Sequence, residues 1–223
     1  GLNMKTGKSK IILIFLTTSF IFTGCQFWEN FITYFNTYYN ADRLLKESER
    51  EFAYQEEKVR VRPRVIVPEP DIFVQSQDKK GPPEFMEGFI IRQNQRQPVD
   101  IKLDSIIIKG SKILAKHSKS DYIQGTLFLM AQSYFYQEEW LPSQIKCTEL
   151  IDKFPDGEKS PDAHLLLSKN LLIQRKFIAG KTMLSRTVDI AWQLQRYDIL
   201  SEAFRLEADL ALYQGDKQGA LKP

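Results

Sequence analysis

The chain has 223 residues, 43% of them hydrophobic and 26% charged, with 31 basic side chains, 28 acidic ones and two cysteines. Lys5, Lys8 and Lys10 lie in the first 24 residues, which hold no acid, so the remainder balances at 28 of each sign. A balanced chain has no electrostatic footprint for nucleic acid, and the roughly 200 residues that remain suffice for one core or a short helical array.

The apolar run Ile11 to Phe22, broken only by Thr17, Thr18 and Ser19, follows the three lysines and leads into Phe22-Thr23-Gly24-Cys25. A positive head, a short apolar middle and small residues at its end predict a secretory signal, because a membrane-spanning helix needs about 20 apolar residues. Phe22 to Cys25 resembles the lipobox of bacterial lipoproteins, with Phe22 where Leu is usual. The resemblance implies that residues 1–24 are a cleaved signal peptide and that Cys25 is lipidated and becomes the mature N-terminus. Each buried CH₂ is worth about 0.8 kcal/mol, so a single acyl chain holds marginally and several hold stably. Gln26 follows the cysteine and no acidic cluster comes after it. Within that family this pattern implies the periplasmic face of the outer membrane. With Cys25 acylated, Cys147 has no intrachain partner and is expected to be buried and inert.

Residues 25–58 are predicted to be a lipid-anchored N-terminal helix. Phe31, Tyr34, Phe35, Tyr38, Tyr39, Leu44, Leu45 and Phe52 fall largely at three- and four-residue spacings. The aromatics of this stripe are expected in the core, with the membrane interface as the other place that suits Trp and Tyr. Residues 59–98 hold Pro63, Pro68, Pro70, Pro82, Pro83 and Pro98, a density that forbids a helix and predicts an extended or mobile Pro-rich insertion or loop. From residue 99 to 223 the pattern is helical almost throughout. One helix is expected to end near His117-Ser118, Ser120 can cap the next, and Ser160-Pro161 gives an N-cap followed by Pro at N1. The predicted fold class is all-α.

A helix–turn–helix template of about 34 residues fits three times in this region. The first copy starts at Gln124 and places Leu127, Ala131 and Tyr134 on its first helix, Trp140 in the turn, Ser143, Cys147 and Leu150 on its second helix, and Pro155 at its end. The second starts at Pro161, with His164, Leu167, Ser168 and Leu171, then Phe177, then Gly180, Leu184 and Thr187. The third starts near Ser201, with Phe204, Ala208 and Ala211 before Gly215-Asp216 and Ala220. The starts are 37 and 40 residues apart, so loops or helices between copies are extended. Small residues at Ala131, Ser168 and Ala208, and at Ser143, Gly180 and Ala220, let paired helices approach closely.

These positions resemble the tetratricopeptide repeat (TPR). Residues 121–136, Phe154-Pro155-Asp156-Gly157 and Pro161-Asp162-Ala163 resemble the BamD-like group of outer-membrane lipoproteins, as does Phe35 to Ala41. The resemblance implies a TPR-type solenoid of stacked helix pairs, with residues 25–58 and 99–118 forming an initial half-repeat around the insertion. It implies a protein–protein scaffold in an outer-membrane assembly or secretion complex, tethered to the membrane by lipid and receiving a partner's helix or extended segment in its concave groove. The third copy stops four residues into its second helix, so a longer parent protein is expected.

No residue pattern predicts catalysis, a cofactor or a metal. His117 and His164 are the only histidines; the first reads as a helix-end residue and the second as a packing residue, without H-x-x-x-H or a Cys pair. There is no G-x-S-x-G, and the glycines occur singly. A different class, glycan or small-ligand capture for nutrient uptake, would use exposed aromatics and amides converging on a groove, with Trp140, Trp192 and Gln195 as candidates.

Overall fold

The structure, a computed structural model, describes Trp28, Phe31 and residues 37–59 and 81–221. Residues 1–24, Cys25 and the first part of the Pro-rich segment lie outside the described residues. Among the described residues there is no strand, and eight α-helices account for most of the chain. They are α1 (Tyr39–Val59), α2 (Gln93–Arg96), α3 (Asp100–Lys116), α4 (Ile123–Tyr136), α5 (Trp140–Lys153), α6 (Ser160–Ile173), α7 (Phe177–Gln193) and α8 (Tyr197–Tyr213). The fold is all-α, as the periodicity predicts. No helix among the described residues is long and apolar enough to cross a membrane.

From α3 onward each helix packs on the next, joined by a short turn that reverses direction. Contacts also link α1 to α3 and α4, α4 to α6, and α6 to α8. Alternate helices therefore touch, giving a layer of α1, α4, α6 and α8 backed by α3, α5 and α7. Lys102 meets Glu47 at 3.3 Å across the α1–α3 contact, and Tyr136 donates its hydroxyl to Glu49 at 2.9 Å.

Three of the reversals share one backbone solution. Glu138, Arg175 and Gln195 occupy left-handed geometry with φ of 62°, 59° and 55°, and Gly215 repeats it at 80° after α8. In each, the next residue's N–H reaches back to a carbonyl of the closing turn: Glu139 to Tyr134 at 2.9 Å, Lys176 to Leu171 at 3.0 Å, Arg196 to Ala191 at 2.8 Å and Asp216 to Ala211 at 2.8 Å. This is a Schellman closure, which satisfies carbonyls that a helix end otherwise leaves open. The first, second and fourth recur at spacings of 37 and 40 residues, the offsets read from the sequence.

The α5–α6 connection is longer and is held from α4, whose Gln124 side chain accepts the Lys159 N–H. The helix α6 starts one place earlier than the Ser-Pro signal suggests: Lys159 is the N-cap and Ser160 the first helical residue. At the same end of the helices, Arg196 in the α7–α8 turn clamps Asp162 of α6 at 2.7 Å and Asp198 of α8 at 2.7 Å. The twofold pairing holds the Asp198 carboxyl at about 2, well below the usual carboxylate range.

Candidate binding groove

The side chains expected at the helix contacts divide by burial. Leu127, Ala131, Ser143, Cys147, Leu167, Ser168 and Gly180 are buried. Tyr134, Trp140, Leu171, Phe177, Ala208 and Ala220 are half-buried, and Pro155 and Phe204 are exposed. Trp140 sets its ring edge-on to Phe135 at 5.3 Å, closing the α4–α5 turn. Ser143 donates to the Ala131 carbonyl at 2.8 Å and accepts from Asn170 Nδ2 at 3.0 Å, so one hydroxyl ties α4, α5 and α6 together. Ser168 and Thr187 share a hydrogen bond of 3.2 Å across the α6–α7 contact.

These positions form the packed floor beneath a second face. The candidate groove lies one residue further round each helix. Phe128 and Gln132 lie ten and six residues before the turn residue Glu138, and Leu165 and Lys169 hold the same places before Arg175. On α8 the equivalents are Arg205 and Asp209, before Gly215. Phe128, Gln132, Leu165 and Lys169 border a cavity of about 360 Å³, together with Ile199 and Glu202 of α8. Sequence reasoning missed this set. Its signal was available as the same register displaced by one residue, on the face of α4, α6 and α8 turned away from their partner helices.

The cavity is roofed by the chain itself. After Pro83 the backbone makes a 3-10 turn, Glu84–Phe89, and Gly88, Phe89 and Ile91 complete the cavity wall. Met86 is wholly buried, although it belongs to the Pro-rich stretch. The Phe85 ring lies 5.4 Å from that of Tyr213 on α8, and Arg175 donates to the Gly81 carbonyl at 2.8 Å. Phe89 lies under two cations, with Lys169 Nζ 4.5 Å and Arg205 Cζ 5.5 Å from its ring centre. Such cation–ring contacts are worth about 0.5–2 kcal/mol, the more so when dehydrated. Lys169 also pairs with Glu202 at 2.7 Å, and burial pulls its pKa down despite that carboxylate.

The two carboxylates that line the cavity are occupied. Asp162 and Glu202 are committed to Arg196 and Lys169. Cys147 is wholly buried, and desolvation pushes its thiol far above its ordinary value, so it is a poor nucleophile at neutral pH. His164 Nδ1 meets the Ser160 carbonyl at 2.8 Å, and burial lowers its pKa. No group of three or more metal-ligating side chains gathers among the described residues. The face can therefore hold an aromatic or apolar side chain beneath cations. Trp140 and Trp192 stand at opposite ends of the parallel helices α5 and α7, about 20 Å apart by helix length, so they do not form one site. Trp192 is 66% exposed, and Gln195 sits in the exposed turn beyond it.

Comparison with protein-family models, curated proteins and solved structures returns no match to this chain.

Proposed function

We propose that this chain is a lipid-anchored, TPR-type repeat protein of the bacterial cell envelope, and that it works as a non-enzymatic scaffold. The partner is a helix or extended segment of another envelope protein, held against α4, α6 and α8. The observation that carries this reading is the register: the left-handed turn follows α4 and α6 at the same distance from Phe128 and Gln132 and from Leu165 and Lys169, and these four line one cavity with Ile199 and Glu202 of α8. Helix pairs stacked in that way present an extended binding surface, and a segment laid in such a groove is read by its spaced side-chain anchors. Lipid on Cys25 and a place at the periplasmic face of the outer membrane rest on the Phe22–Cys25 motif. Membership of a BamD-like assembly or secretion complex rests on the resemblances in residues 35–41 and 121–163.

The test is in-cell photo-crosslinking from Gln132, on the shared face, with exposed Lys112 on α3 as the control position. Capture of a barrel-assembly or secretion component from Gln132 and not from Lys112 supports the scaffold. Capture from neither, with a Cys25→Ser variant that still partitions with membranes, removes both the scaffold and the anchor. A second reading, small-ligand capture, draws on the cavity of about 360 Å³, which lies within the range that small molecules fill. It requires a ligand that raises the melting temperature of wild-type protein and does not do so in Gln132→Leu.

A further inference from the structure

The groove is not empty: residues 83–91 of the same chain lie in it. We propose that this segment is an internal ligand of the groove, and that the external partner presents the same anchors. Those anchors are an aromatic–methionine pair, Phe85-Met86, and a second aromatic four residues after the first, Phe89. The inference rests on the scaffold reading above and adds to it the chemistry of the partner and the contact that restrains it.

Three observations carry it. The segment is held by side chains and not by its backbone. Met86 N–H bonds to Pro83 at 2.9 Å and Ile90 N–H to Glu87 at 3.2 Å, so these backbone bonds close within the segment. Its reach onto the helices is through Phe85 on Tyr213, buried Met86, Phe89 beneath Lys169 and Arg205, and the half-buried Ile90 and Ile91. A segment seated by side chains can leave without breaking a backbone ladder, as a bound peptide does.

Its aromatic anchor meets charge on the seat. Phe89 lies beneath Lys169 and Arg205, and Arg175 donates to the Gly81 carbonyl just before the segment. The match is also incomplete. The cavity of about 360 Å³ beside Phe89 is lined by Phe128, Gln132, Leu165 and Lys169, and the internal segment does not fill it. Phe128, Leu165 and Ile199 belong to the apolar part of its wall, so a partner segment that places a larger apolar group there buries surface the resident one leaves to solvent. That gain is needed, because the resident segment is tethered at an effective concentration of about millimolar order and an external competitor is not.

The experiment uses full-length protein and a fluorescein-labelled peptide spanning residues 82–92, followed by anisotropy. In Phe85→Ala/Phe89→Ala the resident anchors are gone, and the peptide is expected to bind at least tenfold tighter than to wild type. A peptide carrying Phe89→Ala should lose that affinity. A folded double variant that binds no peptide, or binds it no tighter than wild type, overturns the proposal. Should the double variant lose its cooperative melt, Phe89→Ala alone decides, since it trims a ring at the groove's edge and leaves Met86 in place. A threefold or greater gain in peptide affinity supports the proposal, and equal affinity overturns it. The assay needs neither lipid nor partner. Its failure alongside productive crosslinks from Gln132 removes only the internal ligand, whereas peptide binding without crosslinks removes the envelope role and leaves the groove.

Discussion

The hairpins α4–α5 and α6–α7 share a turn but not the chemistry of their crossing. Where α5 meets α4, Ser143 spends its hydroxyl on the Ala131 carbonyl and on Asn170 of the next helix. Where α7 meets α6, Gly180 supplies no side chain at all, and Leu172 fills the space: a Cβ on Gly180 would lie 2.6 Å from Leu172 Cδ2. At this one position the first contact is closed by a hydrogen bond and the second by a missing methyl group. What recurs is a close approach of two backbones, and either a small polar residue or none satisfies it.

The harshest way to break the comparison is Ala131→Arg, which drives a charge into a site with no exposed surface. It is expected to cost about 4 kcal/mol or more and to abolish the cooperative thermal melt; an unchanged melt would contradict the register. Exchanging the two crossings is gentler. Gly180→Ser crowds Leu172 and should cost about 1–3 kcal/mol in a urea titration. Ser143→Ala fits the space but strips Asn170 and the Ala131 carbonyl of a partner, for about 1–2 kcal/mol by the same titration. If Gly180→Ser proves neutral, the second crossing is looser than the Leu172 contact indicates.

The shared turn gives the smaller effects. Gln195 holds left-handed geometry without the ion pair that Glu138 makes to Arg96 at 2.9 Å. Gln195→Gly should therefore raise stability by about 0.5–1 kcal/mol, read as a higher melting temperature. The smallest difference is a pH effect of α6 alone. Burial lowers the His164 pKa below its ordinary 6.5, so the unfolded chain binds the proton more readily than the folded one. The stabilisation is complete above pH 6.5 and is lost as pH falls through the folded value. Melting temperatures at pH 7.5 and 5.5 should differ less in His164→Gln than in wild type.

The helices and turns were legible because their signals are local. The end of α3 at His117, the recurrence of the turn at 37 and 40 residues, and the small residues at Ala131, Ser143 and Gly180 all follow from spacing. Burial on α8 was not legible. Phe204 and Ala208 hold the places that Leu127 and Ala131 hold on α4, facing a helix that follows. Among the described residues only a 3-10 turn, Gly219–Leu221, comes after α8, so Phe204 is 38% exposed. Ala203, Leu206 and Leu210 face back toward α6 and α7, and they are buried. The one-residue shift between packing face and groove face, from Leu127 to Phe128 and from Ser168 to Lys169, was hidden for the same reason. Periodicity identifies an apolar stripe but does not say which neighbour covers which edge of it.

The prolines of 59–98 gave the least information about what they flank. They predict a stretch without helix, whereas the described part contains a 3-10 turn and a four-residue helix, both short enough to fit between Pro83 and Pro98. They do not show that Phe85, Met86, Phe89, Ile90 and Ile91 form an apolar cluster with a seat waiting for it. By itself, then, the amino-acid sequence determined the all-α class, most helix boundaries to within a few residues (α8 begins at Tyr197, four places before the expected Ser201), and the repeated turn, since each depends on residues within a few positions of one another. Only the tertiary structure decided that α4, α6 and α8 share a face and that Met86 lies buried. Those outcomes depend on contacts such as Arg175 with Gly81, 94 residues apart, which no local pattern records.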